Sequence, residues 1–299
     1  MKLILHIGWG KSGTTWLQSQ IFNQQKVFRN FNKYRLHQLI DPSWGNYDSK
    51  KAKEVVTDFV VDSGKSGLTT CISSEGIISS INHSPAVHET TIKRINEIYD
   101  GEIKLILFCR KHEDIVSSLY IAHLESYSNL SFEAFLKQYQ YQIKYSYAYS
   151  DRVRFCQNIF GKENVFTGAL EQLNTSPQLL KDNLQKFTGV KLDKFNPTIR
   201  PNSKLSYVAY NKTRWMTPSY ISSMNNFYQR FIRTHSQEPS DFIINKYRNY
   251  ISKRIPLEEE LKFRKQLKKE IANNFGDFFL KDKECLSDIV DFDVPRDWA

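Results

Sequence analysis

Short apolar runs alternate with amphipathic stretches over the first two thirds of the chain. The runs at residues 3–7, 68–73 and 103–109 have the length of strands, and shorter runs stand at 26–31 and 164–167. Helical periodicity separates them at residues 49–62, 87–99, 115–122 and 176–187. Strands alternating with helices predict a parallel sheet with helices on its faces. The run at 103–109 is the most continuous, which favours a central strand.

The remaining stretches carry weaker signals. Residues 34–47 contain Asp41-Pro42 and Trp44-Gly45-Asn46 and are predicted to be a loop. Residues 131–160 are helical in pattern and rich in tyrosine, and the part from 215 to 279 predicts helices rich in Lys and Arg. We therefore expect one domain over 1–299, with an α/β core at 1–210 that carries the cofactor site and a mainly helical extension at 211–299.

The formal net charge of +10 over 299 residues indicates an anionic partner. Charge alone leaves a nucleotide, an acidic glycan, nucleic acid and a membrane surface open. No apolar run approaches the length of a membrane span, and the N-terminus lacks a signal-peptide pattern, so a cytoplasmic protein without a transmembrane segment is expected. Four widely spaced cysteines without a C-x-x-C pair predict reduced thiols and no metal site.

The loop at residues 8–16 (GWGKSGTTW) lies between the first predicted strand and a predicted helix. Glycines followed by hydroxyl residues at a helix N-terminus direct backbone N–H groups at one point, where the helix dipole favours an anion. Lys11 adds a cation beside that point. In the usual nucleotide-triphosphatase loop the lysine follows the last glycine, whereas here it precedes Ser12 and Gly13. The loop therefore predicts a nucleotide phosphate site whose chemistry differs from ATP hydrolysis.

A second anion site is predicted where the strand at 103–109 ends in Arg110. A triphosphatase would need an acidic residue for magnesium at such a strand end. A guanidinium cannot bind a metal, but it can hold a phosphate through two hydrogen bonds. Two anion sites suit a nucleotide that is phosphorylated at both ends.

The two motifs resemble those of the sulfotransferases that use 3′-phosphoadenosine 5′-phosphosulfate (PAPS). Residues 11–16 (KSGTTW) are similar to the loop that binds the 5′-phosphosulfate in that family, and residues 110–120 (RKHEDIVSSLY) are similar to its 3′-phosphate motif. In this register Arg110 and Ser118 match the arginine and serine that hold the 3′-phosphate. Ser117 competes with Ser118, since a slip of one position would exchange them.

The resemblance implies a P-loop NTPase-like sulfotransferase fold, α/β with a helical C-terminal region, and PAPS as co-substrate without a metal. It implies that six residues bind the 5′ end of the nucleotide, and that Lys11 is the catalytic cation that stabilises charge on the leaving oxygen. These cofactor-binding residues are Lys11, Ser12, Gly13, Thr14, Thr15 and Trp16, with Trp16 able to stack on adenine.

The chain departs from the family pattern at several places. Gly10 replaces the usual proline of the first motif, and the Arg-Lys-Gly loop of cytosolic small-molecule sulfotransferases is absent from the sequence. Arg200 or Lys204 could supply the missing charge. The chain thus looks closer to the bacterial and carbohydrate-type branch, which implies a small-molecule or glycan acceptor, preferably a carbohydrate, and no nucleic acid.

An acceptor hydroxyl needs a base, and Glu75 is the first candidate because it follows the strand at 68–73. His37 is the second candidate and His83 a distant third, while a plain helix-terminal role for Glu75 stays open. Two other functions also stay open. One is a nucleotide kinase or other phosphotransferase of the same fold, and the other is a basic protein that binds polyanions without catalysis. The sequence leaves the oligomeric state undetermined.

Overall fold

The computed structural model of the chain describes residues 1–42, 46–75, 77–81, 83–125, 129–198, 206–215, 239–295 and 298. Two compact units can be distinguished. The first unit comprises residues 1–112, 141–202 and 277–299, and the second comprises residues 113–140 and 203–276. The strands and helices are β1 Lys2–His6, α1 Thr14–Leu17, β2 Phe28–Asn30, α2 Lys33–Ile40, α3 Ser49–Lys65, β3 Thr69–Ser73, α4 Pro85–Glu97, β4 Glu102–Cys109, α5 His112–Glu125, α6 Phe132–Ser146, α7 Tyr149–Phe160, β5 Val165–Ala169, α8 Gln172–Thr175, α9 Pro177–Thr188, α10 Tyr207–Lys212, α11 Pro239–Ser252 and α12 Leu257–Ser287.

All five strands belong to the first unit and form one parallel sheet in the order β2-β3-β1-β4-β5. Leu5 in β1 pairs with Ile72 of β3 on one side and with Leu105 of β4 on the other. The predicted α/β fold with a parallel sheet flanked by helices and a helical C-terminal region is confirmed. Because every strand runs in the same direction, the segments that follow β1, β3, β4 and β5 all emerge at one edge of the sheet.

Strands β1 and β4, both in the interior of the sheet, supply part of the apolar core of the first unit. Leu3, Ile4 and Leu5 in β1 are fully buried, as are all residues of β4 from 105 to 109. Full burial of an aliphatic side chain contributes roughly 1.5–3 kcal/mol. The loop after β1 therefore rises from the most firmly packed part of the sheet.

The prediction of a loop over residues 34–47 is wrong for its first half, which forms α2. The side chain of Asn32 caps this helix by accepting hydrogen bonds from the N–H groups of Tyr34 (2.8 Å) and Arg35 (3.2 Å). Leu36 and Ile40 are one helical turn apart and both fully buried. This cap and this apolar pair form the helix despite the turn signals of the Asp-Pro and Gly-Asn pairs that follow.

The other predicted elements lie within a few residues of the observed ones, except that residues 216–238 of the predicted C-terminal helices lie outside the described residues. The tyrosine-rich stretch at 131–160 forms two helices, α6 and α7, and the prolines at 239 and 256 mark the starts of α11 and α12. In the described part of the chain no helix is both long and apolar enough to cross a membrane.

The second unit is helical and contains a buried glutamate that caps α10. Glu260 accepts hydrogen bonds from the hydroxyl of Ser206 (2.5 Å), from the N–H groups of Tyr207 and Val208, and from Arg264 Nε (2.7 Å). Burial by itself would raise the pKa of Glu260, but these hydrogen bonds outweigh it and hold the pKa below its ordinary value. The start of α10 is thus fixed by a charged acceptor.

Candidate functional site

The loop after β1 is anchored by Trp9, which is fully buried. Its indole N–H donates to the carbonyl of Ser146 (2.7 Å), and its ring packs against that of Tyr149 in a T-shaped arrangement with 4.6 Å between centroids. The hydroxyl and the N–H of Ser12 both donate to the carbonyl of Trp9, at 2.5 and 3.3 Å. Ser12 therefore closes the turn, and its buried hydroxyl serves the loop itself.

Two residues of the loop have left-handed backbone conformations. Within the described residues, Lys11 is the one non-glycine residue with positive φ, at 68°. This conformation costs an ordinary residue roughly 1–2 kcal/mol. Gly13 has φ 93°, and a Cβ placed there would lie 2.4 Å from Cδ1 of Leu170. The path of the backbone thus requires glycine at 13 and strains Lys11, as is typical of functional loops.

The loop leads directly into the helix that begins at Thr14. The first helical hydrogen bond is donated by the N–H of Trp16 to the carbonyl of Gly13 (2.9 Å). The N–H groups of Gly13 and Thr14 precede that bond and take no part in the helical ladder. The helical path continues from α1 through a wider π-turn at Gln18–Phe22. Such a start presents backbone donors to an anion.

Glu75 contacts this loop directly. The hydroxyl of Thr14, which is almost fully buried, donates a hydrogen bond to Oε2 of Glu75. The N–H of Ser74 donates to the carbonyl of His6 (2.8 Å), so the chain follows β1 for one residue beyond β3. Glu75 itself is exposed. Its carboxylate can therefore face solvent and the loop together.

Arg110 reaches the same loop from the end of β4. Its guanidinium Nη1 donates to the carbonyl of Lys11 at 3.1 Å. Its own carbonyl accepts a hydrogen bond from the hydroxyl of Tyr149 (2.7 Å), and the next N–H, that of Lys111, donates to Glu171 (3.1 Å). The arginine backbone is held from two sides, and the side chain braces the strained residue of the loop.

A buried cluster around Asp282 supports Tyr149. The carboxylate of Asp282 accepts hydrogen bonds from the N–H groups of Tyr149 and Ser150 (2.9 Å each), from the Ser150 hydroxyl (2.6 Å) and from His112 Nε2 (3.1 Å). The His112 ring is stacked between Tyr149 (4.3 Å) and Phe279 (4.2 Å). Burial raises the pKa of the Tyr149 phenol well above its ordinary value, so it remains a neutral donor to Arg110.

The histidines weighed from the sequence differ in their positions. Nε2 of His37 lies 2.7 Å from the Ser74 hydroxyl and Nδ1 lies 3.6 Å from Asp41, which places this ring one residue from Glu75. His83 packs against His88 at 5.9 Å between centroids. His6 is fully buried, and this burial lowers its pKa to about 3, so it is a neutral histidine of the core.

Trp16 and the serines of the second motif have defined partners. Trp16 is buried, donates its indole N–H to the carbonyl of Asn196 (2.9 Å) and packs against Phe195 in a T-shaped arrangement with 5.2 Å between centroids. Ser118, on α5 in the second unit, has its hydroxyl 3.4 Å from that of Tyr207, whereas the Ser117 hydroxyl donates to the Glu113 carbonyl of its own helix (2.7 Å). Arg200 and Lys204 lie outside the described residues.

Several residues that shape the loop were missed by the sequence-based interpretation. The hydroxyl of Ser79 accepts a hydrogen bond from the N–H of Gly10 (3.2 Å), Leu170 packs under Gly13, and Tyr149 and Asp282 fix the backbone of Arg110. Leu170 could have been found, because it directly follows a strand of the sheet. The others come from helices and turns whose sequences carry no sign of this contact.

No protein-family model matches this chain, and no curated protein matches its sequence. Among solved structures it is similar to the crystal structure of a sulfotransferase from Alicyclobacillus acidocaldarius, with 16% sequence identity and a TM-score of 0.48. The similarity covers 71% of this chain and 91% of that one. A likeness this distant carries no argument about activity, so any functional inference rests on the residues of the site.

Proposed function

We propose that this protein is a PAPS-dependent sulfotransferase that transfers a sulfuryl group to a hydroxyl or amine of an acceptor, preferably a carbohydrate. One observation carries the proposal. Three groups that the reaction needs lie at a single loop at one edge of the sheet. Lys11 belongs to the loop and carries the ammonium group, Arg110 donates a hydrogen bond to the carbonyl of Lys11, and Glu75 accepts one from the hydroxyl of Thr14. The positions of Lys11 and Arg110 in the sequence match the motifs of that family, and Glu75 follows the neighbouring strand β3.

In this proposal the loop binds the 5′ end of the nucleotide. Backbone N–H groups from Gly13 onward and the hydroxyls of Thr14 and Thr15 hold the 5′-phosphate, while Ser12 keeps the turn closed. The bend at Gly13 lets the backbone approach the anion closely. Trp16 is assigned to adenine, and Arg110 and Ser118 to the 3′-phosphate. The assignments of Trp16, which is buried, and of Ser118 rest on the sequence register alone.

The proposed chemistry is an in-line displacement at sulfur. Glu75 accepts the proton of the acceptor hydroxyl as the acceptor oxygen forms its bond to sulfur. The bond from sulfur to the bridging oxygen breaks, and Lys11 stabilises the charge that develops on that oxygen. The products are the sulfated acceptor and adenosine 3′,5′-bisphosphate. When Thr14 donates to the phosphate, it releases Glu75 for the acceptor.

Thermal stabilisation by three ligands tests this proposal. Adenosine 3′,5′-bisphosphate without a metal should raise the unfolding temperature more than ATP with magnesium or heparin does. Turnover of PAPS should be lost in Lys11→Ala, while Lys26→Ala, a change at a lysine outside the loop, should keep it. A preference for heparin alone would favour a polyanion-binding protein without catalysis.

A phosphotransferase is the second candidate, and the contact between Thr14 and Glu75 favours it. A hydroxyl at the start of the loop helix and a carboxylate beyond a neighbouring strand are the groups that hold magnesium in nucleotide triphosphatases. The resemblance of both motifs argues for the sulfotransferase instead. Stabilisation by ATP that depends on magnesium and disappears in Glu75→Gln would establish the phosphotransferase and refute the first proposal.

A further inference from the structure

A groove on the first unit lies outside the loop described above. It has a volume of about 490 Å³, within the range of roughly 300–1,000 Å³ that small-molecule sites occupy. Helices α4, α6, α7 and α12 contribute to its walls. The residues that characterise it are Glu89, Tyr141, Lys144, Tyr145, Arg152 and Phe278.

Arg152 is a buried cation in this groove, with only 4% of its surface exposed. Its nearest carboxylate, Glu89, lies 3.9 Å away, well beyond the roughly 2.7–2.9 Å of a charge-assisted hydrogen bond. The Nε of Arg152 is buried and has no hydrogen-bond partner among the described residues. The guanidinium instead lies over the ring of Tyr145, 3.8 Å from its centroid. Its positive charge is therefore not neutralised by a close carboxylate, and its Nε–H group has no acceptor among the described residues.

The aromatic residues of the groove form a platform beside this cation. Tyr141 and Tyr145 are nearly parallel, with an interplanar angle of 16° and 6.3 Å between centroids. Tyr145 is fixed by donating its hydroxyl to Glu89 (2.6 Å), whereas Tyr141 is 65% exposed. An exposed ring of this kind can stack on the apolar face of a sugar or on another aromatic ring.

We propose that this groove binds a ring-bearing carboxylate, such as an acidic sugar residue or an aromatic acid. The ring stacks on Tyr141, and the carboxylate completes the hydrogen bonding of Arg152 in place of the distant Glu89. Lys144 lies at the same groove, and its positive charge offsets the negative charge of Asp151, which also lines the groove. This inference does not depend on the reaction proposed for the loop.

Titrations monitored by NMR test the inference with tetragalacturonate, 4-hydroxybenzoate and uncharged maltotetraose. The acidic probe that fits should bind at least about tenfold more tightly than maltotetraose, as expected for one added charge-assisted hydrogen bond. Tyr141→Ala should weaken binding roughly threefold to tenfold through lost stacking. Tyr34→Ala is the matched control, because Tyr34 is 68% exposed on α2, away from the groove, and it should leave binding unchanged.

Substitution of Glu89 gives a second test, in which probe binding and the stability of the unliganded protein should change in opposite directions. Glu89→Gln removes the competing carboxylate, so the acidic probe should bind more tightly while the unliganded protein melts at a lower temperature. The probe should then restore more stability to the variant than to the wild type. Arg152→Gln should abolish the preference for acidic probes; if this variant does not fold, Tyr141→Ala decides. Equal binding of charged and uncharged probes, or no effect of Tyr141→Ala, would overturn the inference.

Discussion

Replacing Lys11 by glycine or by alanine separates the strain of the loop from its chemistry. Both substitutions remove the ammonium group, but only glycine adopts φ 68° without a steric cost. Relief of the left-handed conformation is worth roughly 1–2 kcal/mol. Glycine also loses more conformational freedom on folding than alanine does, and this cost of roughly 0.5–1 kcal/mol offsets part of the relief. Lys11→Gly should therefore be more stable than Lys11→Ala by about 0.5–1 kcal/mol.

The assay compares thermal unfolding midpoints and sulfuryl transfer for the two variants side by side. A gain of this size corresponds to an increase of roughly 1–4 °C in the midpoint. Transfer should fall about a hundredfold or more in both variants, since each loses the cation at the leaving oxygen. A glycine variant that is less stable than the alanine variant would refute the strain argument. Turnover retained in either variant would remove Lys11 from the mechanism.

Three further predictions concern Gly13, Asp282 and the buried histidines His6 and His88. Gly13→Ala should destabilise the protein by at least about 1–2 kcal/mol and weaken nucleotide binding, and adding Leu170→Ala should recover the steric part of the loss but not the cost of φ 93°; full recovery would mean that the conformation costs nothing. Asp282→Asn should lower the unfolding free energy by about 2–4 kcal/mol, measured in urea, because four donors lose a buried carboxylate; a loss below that range would contradict the role given to the cluster. The pKa values of His6 and His88 are lowered to about 3 and about 4, chiefly by burial, so the unfolded state takes up protons first as the pH falls below about 6.5. The unfolding free energy should then decrease from pH 6 to pH 4 by up to about 1.4 kcal/mol per pH unit for each histidine, and His6→Gln should remove about half of this slope.

Much of the fold could be predicted from the sequence because its signals are local. Apolar runs of strand length, helix caps and proline or glycine punctuation act over a few residues, and the parallel sheet follows from their alternation. The loop between β1 and α1 carries its own signature in consecutive residues. Helix α2 departs from the predicted loop because its cap and its buried pair stabilise a helix directly before the turn signals of residues 41–46.

The arrangement of the site was decided by the tertiary structure. Thr14 meets Glu75 across 61 positions of the chain, and Arg110 meets Lys11 across 99. The sequence motifs predict that these residues share one edge of the sheet, but they do not predict which atoms form hydrogen bonds with one another. The contacts of Asp282 with Tyr149 and Ser150 span more than 130 positions and had no sequence signal. Local patterns determined the strands, the loop and its candidate chemistry, whereas packing of distant segments alone determined that Arg110 braces Lys11 and Glu75 lies at Thr14.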